Sequence, residues 1–253
     1  MKLLLPSHIH ILSTLLVILG LANCATNTSK KTINDFPVSL NTGFTMPAIL
    51  EKSDIPLNGV SDLSKLISAR WYADIDVIET KVGETVFSSC MDYFDNATPA
   101  THTKNDYEMG AFLEFKVMCQ ATQLLLNARN SKESFLPDII LNDDVAKYWP
   151  KEIALITATE ESKRISQNKN LLSWADVTPI INIEKNSESK STYFHKGGYQ
   201  EVEIVGNGDA NNDSVEDVFI VVRDHLDDGN YFNIRLLVLT KNTGGSWELI
   251  KSF

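Results

Sequence analysis

The sequence predicts an α+β protein: a helical N-terminal region followed by a C-terminal antiparallel β-sheet. Two observations carry this. Between Asp106 and about Asn130, Met109, Phe112, Leu113, Lys116, Cys119, Gln120, Gln123, Leu124 and Asn127 mark threes and fours, and Val117, Met118, Ala121 and Leu125 broaden the apolar face, the period of a helix laid on a core. Beyond Trp174 the texture changes to short strand-like segments, VTPIINIE, STYFH, YQEVEIV, VEDVFIVVR, YFNIRLLVLT and WELIKS. They are parted by NSES, KGG, an acidic loop, HLDDGN and KNTGG, all with turn chemistry, and DDGN and NTGG are the strongest because Asn and Gly tolerate positive φ. Hairpin-like spacing of this kind makes neighbouring strands antiparallel.

At 253 residues, with 43% hydrophobic and 22% charged residues, the chain suits one large or two small domains with enough apolar matter for a core. The net charge of −10 and the lack of a basic stripe argue against nucleic acid as a partner. No period of 20 to 50 residues, as a solenoid or propeller would need, recurs.

The opening stretch has Lys2 followed by an apolar run from Ile9 to Ala22, too short to span a bilayer comfortably and ending at a cysteine, the pattern of a secretory signal. Leu21-Ala22-Asn23-Cys24 resembles the lipobox of bacterial lipoproteins, with Asn23 where Gly, Ala or Ser is usual. That resemblance implies cleavage before Cys24, diacylglycerol on its sulfur and partnership with the lipid bilayer, stable because more than one acyl chain is supplied. A plain signal peptide and a retained membrane anchor are the alternatives. In lipoproteins an Asp after the cysteine holds many of them at the inner membrane; Ala25 there implies a cell-envelope protein, outer-membrane anchored and facing periplasm or surface.

If lipid consumes Cys24, Cys90 and Cys119 remain as an even pair in an oxidising compartment, and a disulfide between them is expected, with two buried thiols as the alternative. Two cysteines without CxxC spacing make a poor zinc site.

In order along the chain, residues 1–23 read as signal peptide and 24–59 as the lipidated cysteine and a tether rich in Asn, Thr, Ser, Lys and Pro. A mainly helical region, 60–175, follows. In it Ser61 can cap a short helix to Ser68, RWYADIDVIE alternates as a strand would, VFSSCMDYF reads as a helix, DDVAKYW as another ended by Pro150, and EESKRISQ as an exposed helical turn. Residues 176–253 form the antiparallel β region.

Within it, GDANNDSVEDVFI sets Asp209, Asn211 and Asp213 at alternate positions, then Val215 with its backbone carbonyl, then Asp217. Alternate residues of a tightly wound loop can point their oxygens at one centre, as a hard cation requires. Calcium suits an all-oxygen set better than magnesium, which demands stricter geometry, or zinc, which prefers His and Cys. Residues 208–220 resemble the calcium loops of FG-GAP and VCBS-type repeats, a glycine-aspartate start followed by alternating ligands and an apolar strand. The resemblance implies structural Ca2+ held by Asp209, Asn211, Asp213, Val215 and Asp217. Asn212 and Ser214 stand where glycines are common, so a positive φ at Ser214 would cost a little. An EF-hand fits less well, since Ile220 occupies the place of its bidentate Glu. One copy of the loop does not imply a propeller. The alternative is a set of Asx turns needing no metal.

Other candidates are bland by comparison. His195 beside Lys196-Gly197-Gly198 reads as turn polarity, His225 among Asp224, Asp227 and Asp228 as a hairpin tip, and Glu160-Glu161 as an exposed charged face. Trp71, Trp149, Trp174 and Trp247 read as core or junction residues. No GxSxG, HExxH, P-loop or GxGxxG is present. The expectation is a membrane-anchored envelope lipoprotein that is not an enzyme, a binding or structural component with an envelope protein or glycan as partner. An envelope hydrolase with an unrecognised site, and an inhibitor or assembly factor, are the rivals.

Overall fold

The computed structural model describes residues 35–41, 59–79, 83–229 and 231–253. The signal peptide, Cys24 and most of the tether expected from sequence lie outside the described residues. In chain order the elements are β1 (Ser39–Leu40), a 3-10 turn (Val60–Leu63) running into α1 (Ser64–Ile67), β2 (Arg70–Glu79), β3 (Gly83–Ser89), α2 (Cys90–Asn96), β4 (His102–Thr103) and α3 (Met109–Asn127). Then come α4 (Thr159–Gln167), α5 (Trp174–Val177), β5 (Ile180–Lys185), β6 (Lys190–His195), β7 (Gly198–Gly208), β8 (Asp217–Leu226), β9 (Phe232–Lys241) and β10 (Trp247–Ser252).

Strands β5 to β10 follow one another as an antiparallel meander in a seven-stranded sheet, order β10-β9-β8-β7-β6-β5, with β1 added on β7. β6 pairs with β7 only as far as Glu203, and β1 takes the vacated edge beyond it, Ser39 opposite Asn207 and Leu40 opposite Gly206. The approach is close: a Cβ on Gly206 would lie 2.2 Å from the Ser39 carbonyl oxygen and 2.9 Å from a Leu125 methyl. Only glycine lets β1 and α3 come in together there.

The central strands are covered on both faces. One face, carrying Val205, Phe219, Val221, Leu236 and Val238, packs with α3 and with Trp71, Ile75, Val77 and Phe87. The other, carrying Val202, Ile204, Val218, Ile220, Val222, Leu237 and Leu239, packs under Trp149, Ile153 and Trp174. This is why VFIVV and RLLVL read as apolar runs where a sheet wet on one side would alternate.

The fold class expected from sequence is overturned: the protein is mostly β, with a second, three-stranded sheet inside the region expected to be helical. That sheet has the order β3-β2-β4. The error came from letting one strong helical period, that of α3, stand for its surroundings. VFSSCMDYF is strand up to Ser89 and helix from Cys90, the switch being fixed by Ser89, whose hydroxyl accepts the Asp92 N–H, and by Asp92, whose carboxylate accepts from the Ser88 N–H. DDVAKYW makes only a 3-10 turn over Val145–Lys147. Much of residues 128–158 is irregular chain laid on the sheet, with apolar side chains inserted.

Two ionic clusters pin these layers. The Arg223 guanidinium donates to Glu114 of α3 at 2.9 and 3.1 Å and to Glu203 of β7 at 3.0 Å. On the opposite face Arg235 makes a bidentate pair with Asp224, 2.8 Å for each bond, and donates to the carbonyls of Glu152 and Ile153. Gln200 completes that cluster, donating to Asp224 and to the Ile153 carbonyl while accepting the Trp174 indole N–H. Buried charges so fully hydrogen-bonded hold one arrangement of the covering chain. A disulfide joins Cys90 to Cys119, Cα atoms 5.3 Å apart, and so ties α2 to α3.

Candidate metal-binding loop between β7 and β8

Strands β7 and β8 close at Gly208 opposite Asp217, leaving residues 209–216 as the loop expected to hold calcium. It is not a free solvated turn. The chain leaving α3 runs alongside it: Arg129 and Asp209 exchange both backbone hydrogen bonds at 2.9 Å, and the Lys132 and Glu133 N–H groups both donate to the Ser214 carbonyl. Ser131, within that segment, exchanges backbone bonds with Phe36. Asp209 is 4% exposed and Asp217 fully buried.

Inside the loop, backbone N–H groups converge on the first aspartate. Those of Asn212 and Asp213 donate to Asp209 Oδ1 at 2.6 and 3.2 Å, and that of Ser214 to Oδ2 at 2.9 Å. Asn211 Oδ1 accepts the Asp213 N–H, Asp213 Oδ1 accepts the Val215 N–H, and Asn211 Nδ2 donates to Asp213 Oδ2. The winding puts Asn212 at φ 67° and Ser214 at φ 72°, the two non-glycine residues with positive φ among those described. They are the positions where calcium loops of this type commonly carry glycine.

These bonds are the Asx turns that sequence offered as the metal-free alternative. Among the described residues no group of three or more His, Cys, Asp or Glu side chains is gathered closely enough to hold a metal ion. The loop nevertheless leaves one charge unaccounted for. Asp217 Oδ2 accepts the Ala210 N–H at 2.9 Å, but its buried Oδ1 has no hydrogen-bond partner. Burial pushes the Asp217 carboxyl up to about 6, the Ala210 N–H and the Thr240 hydroxyl offset part of this, and the negative charges of Asp213 and Asp209 add to it. An ionised carboxylate with an orphaned oxygen, repelled by two others, is where a divalent cation would bring the largest relief. The donor set is all oxygen, which suits calcium.

The remaining candidates are placed elsewhere. His195 is buried, its Nδ1 3.3 Å from the Lys196 carbonyl oxygen and its Nε2 without a partner. His225 is stacked on Tyr199 with ring centres 4.4 Å apart, and burial holds its imidazole below the ordinary histidine range, while Asp224 beside it is taken by Arg235 and Gln200. Glu160 is exposed and Glu161 half-buried, and they lie near Lys163 and Arg164. All four tryptophans are in the core. Sequence missed the segment 129–133 as the loop's outer support, and no side-chain pattern marks it, because its contacts to the loop are backbone bonds. It also missed the Gln200–Asp224–Arg235 cluster, whose members sit on three different strands. Compared with models of protein families, with curated proteins and with solved structures, the chain matches none of them.

Proposed function

We propose that the protein is a non-enzymatic component of the bacterial cell envelope, lipid-anchored through Cys24, whose sheet is fastened by one structural calcium ion in the β7–β8 loop. The observation that carries the cation half is the buried Asp217 carboxylate with its unpartnered oxygen, under the repulsion of Asp213 and Asp209. Asp209, Asn211, Asp213, the Val215 carbonyl and Asp217 would hold the ion. Calcium there would supply charge neutralisation and nothing reactive: it would join the end of β7 to the start of β8 and, through Arg129 and Glu133, to the chain leaving α3. The loop's backbone is already wound about Asp209, whose carboxylate holds three of its N–H groups. Affinity in the weak extracellular range, a Kd of about 10⁻⁴ to 10⁻³ M, is what two strained non-glycine residues and a partly self-satisfied loop imply.

The anchor half rests on Leu21-Ala22-Asn23-Cys24, and the Cys90–Cys119 disulfide accords with an oxidising compartment. The test is calorimetric titration of the full chain in detergent with calcium, beside Asp213→Ala. Saturable binding by the wild type that the variant loses supports the reading. Identical traces without binding would end it. Palmitate incorporation that Cys24→Ser abolishes tests the anchor separately.

A further inference from the structure

We propose that the groove between α2, α3 and the end of β10 is a binding site for an acidic saccharide, a short glycan carrying uronic-acid carboxylates. This rests on the binding-component reading above and names the class of ligand. The groove encloses about 360 Å³, within the size range of small-ligand sites. One wall is α3, which turns Gln120, Gln123 and Asn127 toward it at a spacing of three and four residues. The facing wall is aromatic: Tyr93 and Phe94 from α2, their rings 5.4 Å apart, and Phe253 after β10. Lys251 also lines the groove, its ammonium 4.3 Å from the Phe253 ring centre.

Each part matches one feature of a uronate. Carboxamides present a donor and an acceptor side by side, the complement of neighbouring sugar hydroxyls. Aromatic faces take the apolar C–H face of a pyranose ring, and Lys251 supplies the cation for its carboxylate. Gln123 and Asn127 are not spent on packing. Gln120 Nε2 donates to the Tyr93 hydroxyl at 3.0 Å, leaving that hydroxyl its own proton to give, while Gln120 Oε1 is buried without a partner. Gln123 and Asn127 are exposed on a helix whose adjacent positions 121, 122 and 125 are buried.

The test titrates the full chain, in detergent with calcium present, with trigalacturonate and with neutral maltotriose, by calorimetry. Saturable trigalacturonate binding, weakened at least about tenfold by Gln123→Leu and by Lys251→Met and tighter than maltotriose, supports the site. No saturable binding, binding unchanged in both variants, or maltotriose bound as tightly as the acid would overturn it. The calcium-induced rise in melting temperature, read on the same samples, separates the two proposals, because Gln123→Leu leaves every loop ligand in place.

Discussion

Asp217→Asn is expected to stabilise the calcium-free protein, although it alters a fully buried residue at the base of the loop. Burial lifts the Asp217 carboxyl from 3.8 to about 6, so the native state binds this proton more tightly than the unfolded chain does. Stability from this group is therefore full below pH 3.8 and is lost as pH rises to about 6. At pH 7 the cost is on the order of 3 kcal/mol, each pK unit being about 1.4 kcal/mol. Asparagine keeps the shape and an oxygen to accept the Ala210 N–H but carries no charge. In EDTA at pH 7 the variant should therefore melt higher than wild type by up to about 6 to 12 °C, taking about 2 to 4 °C per kcal/mol for a chain of this size. The gap should close as the buffer approaches pH 4, where wild-type Asp217 is protonated in the native state. Excess calcium should raise the melting temperature of the wild type and leave the variant unmoved. A variant that melts below wild type in EDTA at pH 7, or that gains as much from calcium, would refute the reasoning.

Three further outcomes follow from the packing. Arg235→Met leaves Asp224 buried without its guanidinium partner and should cost about 3 to 5 kcal/mol, read by urea unfolding with the emission of the buried tryptophans as signal. Adding Asp224→Leu to that variant should recover part of the loss. Paired Cys90→Ser and Cys119→Ser changes, which open a loop of 29 residues, should lower stability by about 3 kcal/mol; an unchanged urea midpoint would mean the bridge constrains little. Gly206→Ala sets a methyl against the Ser39 carbonyl, so hydrogen exchange should accelerate at the Asn41 N–H, which donates to Val205, while amides in β8 and β9 stay protected.

What sequence revealed of this fold was mostly what turn chemistry and period reveal. NSES, KGG, HLDDGN and KNTGG each mark a junction between two of the strands β5 to β10, all but NSES overlapping a strand end by a residue or two, because Gly is needed at fixed places: Gly197, Gly229 and Gly245 all have positive φ. The strand alternation in RWYADIDVIE was visible too, yet its partner strand was hidden, since GETVFSS is short and passes into α2 within a few residues. Position in a sheet is a long-range property: β4 has two residues, and nothing in His102-Thr103 announces that they pair with Val77 and Ile78. The loop was legible in part. Alternating oxygens marked it, and Asn212 and Ser214, which stand where such loops commonly carry glycine, adopt the left-handed backbone. That Asp209 would be wrapped by three N–H groups while Asp217 keeps an orphaned oxygen depends on how deeply each is buried, which no local pattern encodes. The groove's carboxamides were visible in sequence as part of α3's repeating stripe, but the aromatic wall opposite comes from residues 93, 94 and 253, which only the fold brings together.

The most direct measurement is a crystal structure of the protein grown with calcium, refined against anomalous differences. One peak is expected inside the β7–β8 loop, about 2.4 Å from oxygens of Asp209, Asn211, Asp213, the Val215 carbonyl and Asp217. A loop without a peak, its three aspartates apart and Asp217 Oδ1 bonded to an ordered water, would contradict it.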